Sequence, residues 1–431
     1  MKNKLPIYLN IFLCLITLFS SLQIKLDPPI WLGYGDPYDY LEQSKIPLTD
    51  IHFYIPKHVN FYPRPFTVPL IYKIVNGNPE SIIIIQKIIH FLSAFIFASV
   101  LLLYIKRSRA KIFFLISWYL LMIWWNILGW TNNILSESLS ISFLFLWFSS
   151  FLYFEKKKNN ITLILHSLVT ILFSFTRDSW PYILIAFYTI YILYSLLWEK
   201  RIKISYSIFL TLSIILFITQ QYTAKVGQRY RRPVLNNIVY RILPNEKYTQ
   251  WFVENGMPCK DILIQKNINF NDYKAIYSLY NDTSLNELHR WAIEKGNVVY
   301  MKFLITHPKV LLLLNEKRTD LNRIFAYDFG YTGDIRGISY ISFYIFPFFS
   351  LLSVILLLFF ICYISFRENI NQIIFSITVI IIFTLNAFLL YSADALEVER
   401  HLFLTNIMIQ FSGIYLITFI LDSKTFDLGR E

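Results

Sequence analysis

Apolar runs close to the length of a membrane crossing recur along this chain, and no other feature constrains its fold as strongly. About 20 apolar residues in helical conformation span a bilayer's hydrocarbon layer. A backbone in that layer must satisfy every peptide group internally, so a chain built from such runs is committed to helices. The runs are read at 5–24, 82–105, 112–128, 134–154, 161–176, 182–198, 204–222, 341–364, 373–391 and 402–421. The expected fold is an all-α polytopic membrane protein of about ten transmembrane helices. The fifth and sixth runs read as a tight hairpin around Arg177-Asp178. Composition agrees: 55% of the 431 residues are hydrophobic and 16% charged, where a soluble domain has roughly 25% charged.

Basic residues in short loops set orientation. Lys2 and Lys4 precede the first run, Lys106, Arg107, Arg109 and Lys111 follow the second, Lys156 to Lys158 follow the fourth, and Lys200, Arg201 and Lys203 follow the sixth. An even–odd count puts these groups on one side. That side is expected to be the cytoplasm, with both termini, and the protein to be multi-pass in a cell (plasma or inner) membrane. The first run has no small-residue cleavage site and is read as a retained span. Three parts follow: 1–222, a membrane module whose first outer loop is 25–81; 223–340, an extracytoplasmic and mainly helical insertion; and 341–431, the last membrane helices.

The formal net charge of +12 is no argument for nucleic acid, because part of it is topogenic. The 223–340 insertion carries 17 lysines and arginines against 11 acids, which suits anionic lipid head groups as well as a solvated face. The first outer loop is rich in proline, from Pro28 to Pro69, and should form short interfacial helices and turns. In the insertion, apolar residues recur at helical spacing over 284–304. Cys14, Cys259 and Cys362 make no disulfide framework, and His58, His289 and His307 lack metal-ligand spacing.

Scarce charges beside the spans carry the functional reading. Asp36 and Asp39 lie in Gly-Asp-Pro-Tyr-Asp-Tyr, just after the first run. Glu137 stands 19 positions before Lys156, about 28 Å along a helix, so at the outer end of its span. Arg177 reaches the same level by the same count, and Glu397, Glu399, Arg400 and His401 open the last run from outside. Each has a plainer reading: a turn residue for Asp36 or Asp39, a helix N-terminal carboxylate for Glu137, snorkelling for Arg177 and Arg400. Lys87 and His90 read as structural. Convergence on one face is what favours chemistry: carboxylates and arginines at one interface are the ingredients of an anionic-lipid site with a general base.

In order, these motifs resemble the C-type membrane glycosyltransferases that use polyprenyl-phosphate sugars, among them the protein O-mannosyltransferases and the aminoarabinose transferases acting on lipid A. Gly35-Asp36 with Tyr40-Leu41, Arg64-Pro65 with Pro69-Leu70, Ser136-Glu137-Ser138-Leu139, Thr176-Arg177 and Glu399-Arg400-His401 carry the resemblance, over 1–222 and 392–421. The resemblance implies a C-type helix arrangement and sugar transfer from a polyprenyl-phosphate donor to a glycan, lipid or protein acceptor on the extracytoplasmic face, with membrane lipids as further partners. Asp36, with Asp39 and Glu137, would be catalytic; Arg64, Arg177 and Arg400 would hold the donor phosphate; Tyr40, Tyr62, Glu399 and His401 would contact acceptor or head group. Asp36 is followed by Pro37 and Arg64 is preceded by Tyr62-Pro63, where the family has acids. That leaves a divalent cation as an open alternative, with Asp39 and Glu137 as its ligands.

Single-displacement transfer needs one base for the acceptor proton and cations for the leaving phosphate. Guanidinium groups suit the second task. Other classes stay open: a polymerase or ligase of lipid-linked glycans, a lipid-linked sugar flippase or transporter, which should show midplane charges and repeats, and a membrane acyltransferase, for which His90 is the embedded histidine.

Overall fold

The computed structural model describes residues 4–24, 35–57, 61–258, 261, 279–308, 370–394 and 398–423, and side chains at all of these except 370–372 and 398–402. The run at 341–364 lies outside them. The described residues are mainly helical, with no strand among them. Seven helices among them are long and apolar enough to cross a membrane: α1 (Leu5–Gln23), α4 (Pro79–Leu102), α7 (Ser136–Lys157), α9 (Trp180–Trp198), α10 (Ile204–Val226), α15 (Ile370–Ala393) and α16 (Val398–Asp422).

Two of the expected crossings differ in form. The third is broken: α5 (Ser108–Met122) and the segment Trp125–Asn132, which begins with α6 (Trp125–Leu128), meet at a 53° bend. No proline or glycine stands at the break. Trp124, Trp125 and Trp130 are all buried around it. The fifth, α8 (Asn160–Ser174), has 15 residues, short of a straight crossing. It starts at a capping box in which Asn159 and Thr162 bond each other's backbone reciprocally.

The bundle centres on α7, which is buried along nearly its whole length from Ser136 to Phe154. Its serines explain how a membrane helix is covered on all sides. Ser136, Ser138, Ser140, Ser142, Ser149 and Ser150 are buried, small enough for neighbours to approach closely. Hydroxyls return to the helix itself, Ser142 to Ser138 O at 2.9 Å and Ser149 to Phe145 O at 2.6 Å. The helix α7 packs against α4 and α8; α16 packs against α15 and α5; α9 packs against α10 and α15.

The bundle has two chemically distinct ends. At one, the Lys106 and Arg107 N–H groups donate to Asp422 at 2.9 and 2.6 Å, Lys156 lies 5.2 Å over the Tyr104 ring, and Lys203 lies 3.9 Å from Glu155. The start of α1 is at this end too, because α1 runs antiparallel to α4, with Asn10 donating to Ser99 at 2.9 Å and Lys87 donating to Ser21 O at 2.9 Å. The short basic loops therefore share one end.

The opposite end holds the remaining elements. In the first loop these are α2 (Asp36–Lys45), a short turn at Ile51–Phe53, and α3 (Thr67–Ile74). In the insertion they are α11 (Arg231–Asn237), α12 (Glu246–Glu254), α13 (Asn286–Trp291) and α14 (Asn297–Thr306), around their own apolar core of Leu235, Ile238, Phe252, Leu288 and Phe303. This small helical body is fastened to the end of α15: Asn237 donates to Ala393 O at 2.7 Å, Tyr300 to Ser392 O at 2.9 Å, and Asn236 to Asp394 at 2.9 Å.

Candidate functional site

Helix α2 is set by its first residues. Gly35 adopts φ +81°, a left-handed conformation that glycine tolerates, and Asp36-Pro37 opens the helix, where a proline costs no hydrogen bond. Asp36 and Asp39 are three apart and so share a face. Asp36 thus stands in the first turn of a helix rather than in an open turn.

Arg64 lies between the two acids. Its Nη2 donates to Asp36 Oδ1 and, at 2.8 Å, to Asp39 Oδ2. The backbone around Arg64 is clasped by Gln43 of α2, whose Oε1 accepts from Arg64 N at 2.7 Å and whose Nε2 donates to Arg64 O at 2.9 Å. Asp39 also accepts from Tyr62 N at 2.8 Å and faces Arg232 Nη1 at 3.5 Å. Burial pushes the Asp39 carboxyl above its ordinary range, against the pull of Arg64, Arg232 and the Tyr62 N–H. For Arg64, burial disfavours the charge, but Asp36, Asp39 and Tyr40 together outweigh it and hold the guanidinium protonated. The two acids differ in access: the Asp36 side chain is 25% exposed and that of Asp39 4%.

A second pair lies at the top of the bundle. Glu137, in the first turn of α7, is fully buried, and Arg177 donates to its Oε1 at 3.1 Å. Tyr40 connects the two pairs. Its ring is 5.4 Å from the Arg64 guanidinium, and the Glu137 charge adds to the upward push that burial exerts on its phenol. Further ties hold the first loop to the bundle: Thr67 N and Oγ1 donate to Phe175 O and Leu172 O at 3.2 and 2.8 Å, and Tyr72 OH donates to Leu135 O at 3.0 Å.

Asp36, Asp39, Tyr40, Tyr62, Arg64, Glu137 and Arg177 are thus brought together at one end of the protein. Glu399, Arg400 and His401 fall in the first turn of α16, where side chains are not described. Asp36 and Asp39 share an arginine, and among the described residues no group of three His, Cys, Asp or Glu side chains is arranged to hold a metal ion.

Three features escape a reading of the sequence. Arg231 and Arg232 meet Tyr62, with the Arg232 guanidinium carbon 3.4 Å from the ring centre and that of Arg231 at 5.2 Å. Asp178, beside Arg177, holds Arg229 through two contacts of 3.1 and 2.9 Å, so the start of the insertion is locked to the α8–α9 turn. His90 is not the sole embedded histidine. His166 of α8 is buried as well, between Ser150 Oγ at 2.7 Å and Tyr188 OH at 2.6 Å. The Arg231-Arg232 doublet was the available signal for the first, but in a polar insertion it is indistinguishable from solvated charge.

Comparison of the chain with protein-family models, with curated proteins and with solved structures finds no match in any of the three.

Proposed function

We propose that this protein is a membrane glycosyltransferase of the C type, moving a sugar from a polyprenyl-phosphate donor to a glycan, lipid or protein acceptor on the extracytoplasmic face. The observation that carries the reading is the meeting of Asp36, Asp39 and Arg64 with Glu137 and Arg177, through Tyr40, at the end of the bundle away from the basic loops. These groups come from the first loop, α7 and the α8–α9 turn. By the positive-inside rule, the basic end is the cytoplasmic one.

In this reading the acceptor hydroxyl attacks the anomeric carbon, its proton passes to Asp36, and the bond from that carbon to the phosphate oxygen breaks with its electrons left on the phosphate. Asp36 is the better base on access. Asp39 has the raised carboxyl, but its oxygens are taken by Tyr62 N–H, Arg64 and Arg232, so its task is to hold Arg64. Arg64 and Arg177 are the cations for the leaving phosphate, and Arg400 is proposed with them. A phosphate reaching Arg64 competes with Asp36 for the same guanidinium and releases the base as the donor binds. No step is routed through a metal ion.

Two alternatives are weakened by particular contacts. The buried cation Lys87 is occupied in capping the end of α1, donating to Ser21 O and Ile24 O at 2.9 and 3.0 Å, which speaks against a translocation path. The Ser150–His166–Tyr188 chain is enclosed in the bundle, which speaks against an acyl-transfer site there. A ligase or polymerase of lipid-linked glycans would use the same phosphate chemistry. The test offers membranes containing the protein a panel of radiolabelled polyprenyl-phosphate sugars. Label transferred to an acceptor, absent from membranes lacking the protein, is the expected result; no transfer from any donor in the panel contradicts the reading.

A further inference from the structure

Arginines already paired with carboxylates are poor first contacts for an incoming phosphate, because binding must break the existing pair. Arg64 pairs with Asp36 and Asp39, Arg177 with Glu137, Arg229 with Asp178, and Arg232 faces Asp39. Among the described residues Arg231 pairs with no carboxylate. Among those residues its hydrogen bond is a 3.4 Å contact from Nη2 to Tyr280 O, and its buried Nε meets no acceptor. Arg64 and Arg232 stand against Asp36 and Asp39, which leaves Arg231 as the arginine of this cluster that a phosphate can meet without breaking an ion pair among the described residues.

The surroundings suit an anion. Arg232 is stacked on Tyr62 at 3.4 Å and also lies 5.4 Å from the Tyr280 ring; Arg231 lies 5.2 Å from Tyr62. Stacking covers the guanidinium face and leaves the N–H edges to donate. Tyr62 is two residues before Arg64, and its N–H holds Asp39, which shares Arg64 with the proposed base Asp36. The approach is made possible at Gly227, where a Cβ would lie 3.0 Å from Pro63 Cβ.

We propose that Arg231, at the start of the insertion and beside Arg232 on the Tyr62 ring, is the group that first receives the phosphoryl group of the lipid-linked donor, and that Arg232 and Arg64 join it when transfer occurs. This rests on the glycosyltransferase reading and makes the insertion part of the donor site. An arginine fork that loses a phosphate contact gives up a charge-assisted hydrogen bond, worth roughly ten- to a hundredfold in affinity.

The experiment reconstitutes the full chain in phosphatidylcholine nanodiscs and titrates it with a fluorescent long-chain polyprenyl phosphate and with the matching uncharged polyprenol. Wild-type protein should prefer the phosphate. Arg231→Gln should weaken phosphate binding roughly tenfold or more, and Arg231→Lys, which keeps the charge but loses the fork, several-fold. Lys247→Gln, a charge removed from an exposed site on the same insertion, should bind as wild type. Wild-type affinity in both Arg231 variants overturns the subsite and leaves the transferase reading standing. An equal loss in Lys247→Gln also overturns it, by showing attraction to overall charge. A wild-type protein that does not distinguish phosphate from alcohol overturns both.

Discussion

Glu137 is fully buried in an apolar bundle, and a carboxylate in that position is costly unless a cation stands beside it. Arg177 supplies the cation at 3.1 Å. Taking it away removes a counter-charge that touches the buried carboxylate, so Arg177→Met should destabilise the protein, by up to about 3 kcal/mol, read as a lower midpoint of thermal unfolding in detergent. Adding Glu137→Gln should recover part of that loss, since the two changes act on one pair. Additive losses would show the residues to be independent. Asp36, Asp39, Arg64, Glu137 and Arg177 stand out in the sequence because charge is rare beside membrane helices. Which cation meets which anion does not: Arg64 is 28 residues from Asp36, and Arg177 is 40 from Glu137; the folded first loop brings the first pair together and the packing of α7 against α8 the second. Arg231 and Arg232 were hidden for the opposite reason, as ordinary charges in a polar segment.

Among elements, the first loop and the insertion meet closely at Pro63 and Gly227. A Cβ at Gly227 would lie 3.0 and 3.1 Å from the Pro63 ring and 3.2 Å from Thr223 O, so neither neighbour is a flexible chain end that can swing away. Gly227→Val should push the strand of residues carrying Tyr62 and Arg64 away from Arg231 and Arg232. Overpacking of this kind costs typically about 1–3 kcal/mol, and donor binding should fall although no charged group has been changed. Retained affinity together with an unchanged thermal midpoint would mean that the crossing tolerates the bulk. Helix periodicity and length made most membrane elements legible. The broken third crossing was not, because it bends near Trp124 without the proline or glycine that would mark a break in the sequence. The brevity of α8 was concealed by apolar residues that continue past Ser174 to Phe175.

For the whole molecule, the even–odd alternation of basic loops has a direct counterpart: Lys106, Lys156 and Lys203 gather at one end and Asp36, Glu137 and Arg177 at the other. Opposite ends of a helical bundle are where a membrane protein separates its topogenic charges from charges kept for other work, and the insertion fastened to α15 covers the second end. The account's central claim is that this end carries out sugar transfer with Asp36 as base. Its most direct test is single-turnover transfer by the purified, lipid-reconstituted protein, loaded with the donor that the panel identifies. Asp36→Asn, which keeps size and hydrogen bonding but accepts no proton, should bind donor nearly as wild type and lose turnover by a factor of roughly a hundred or more; Asp39→Asn should be milder. Full turnover in Asp36→Asn would contradict the account.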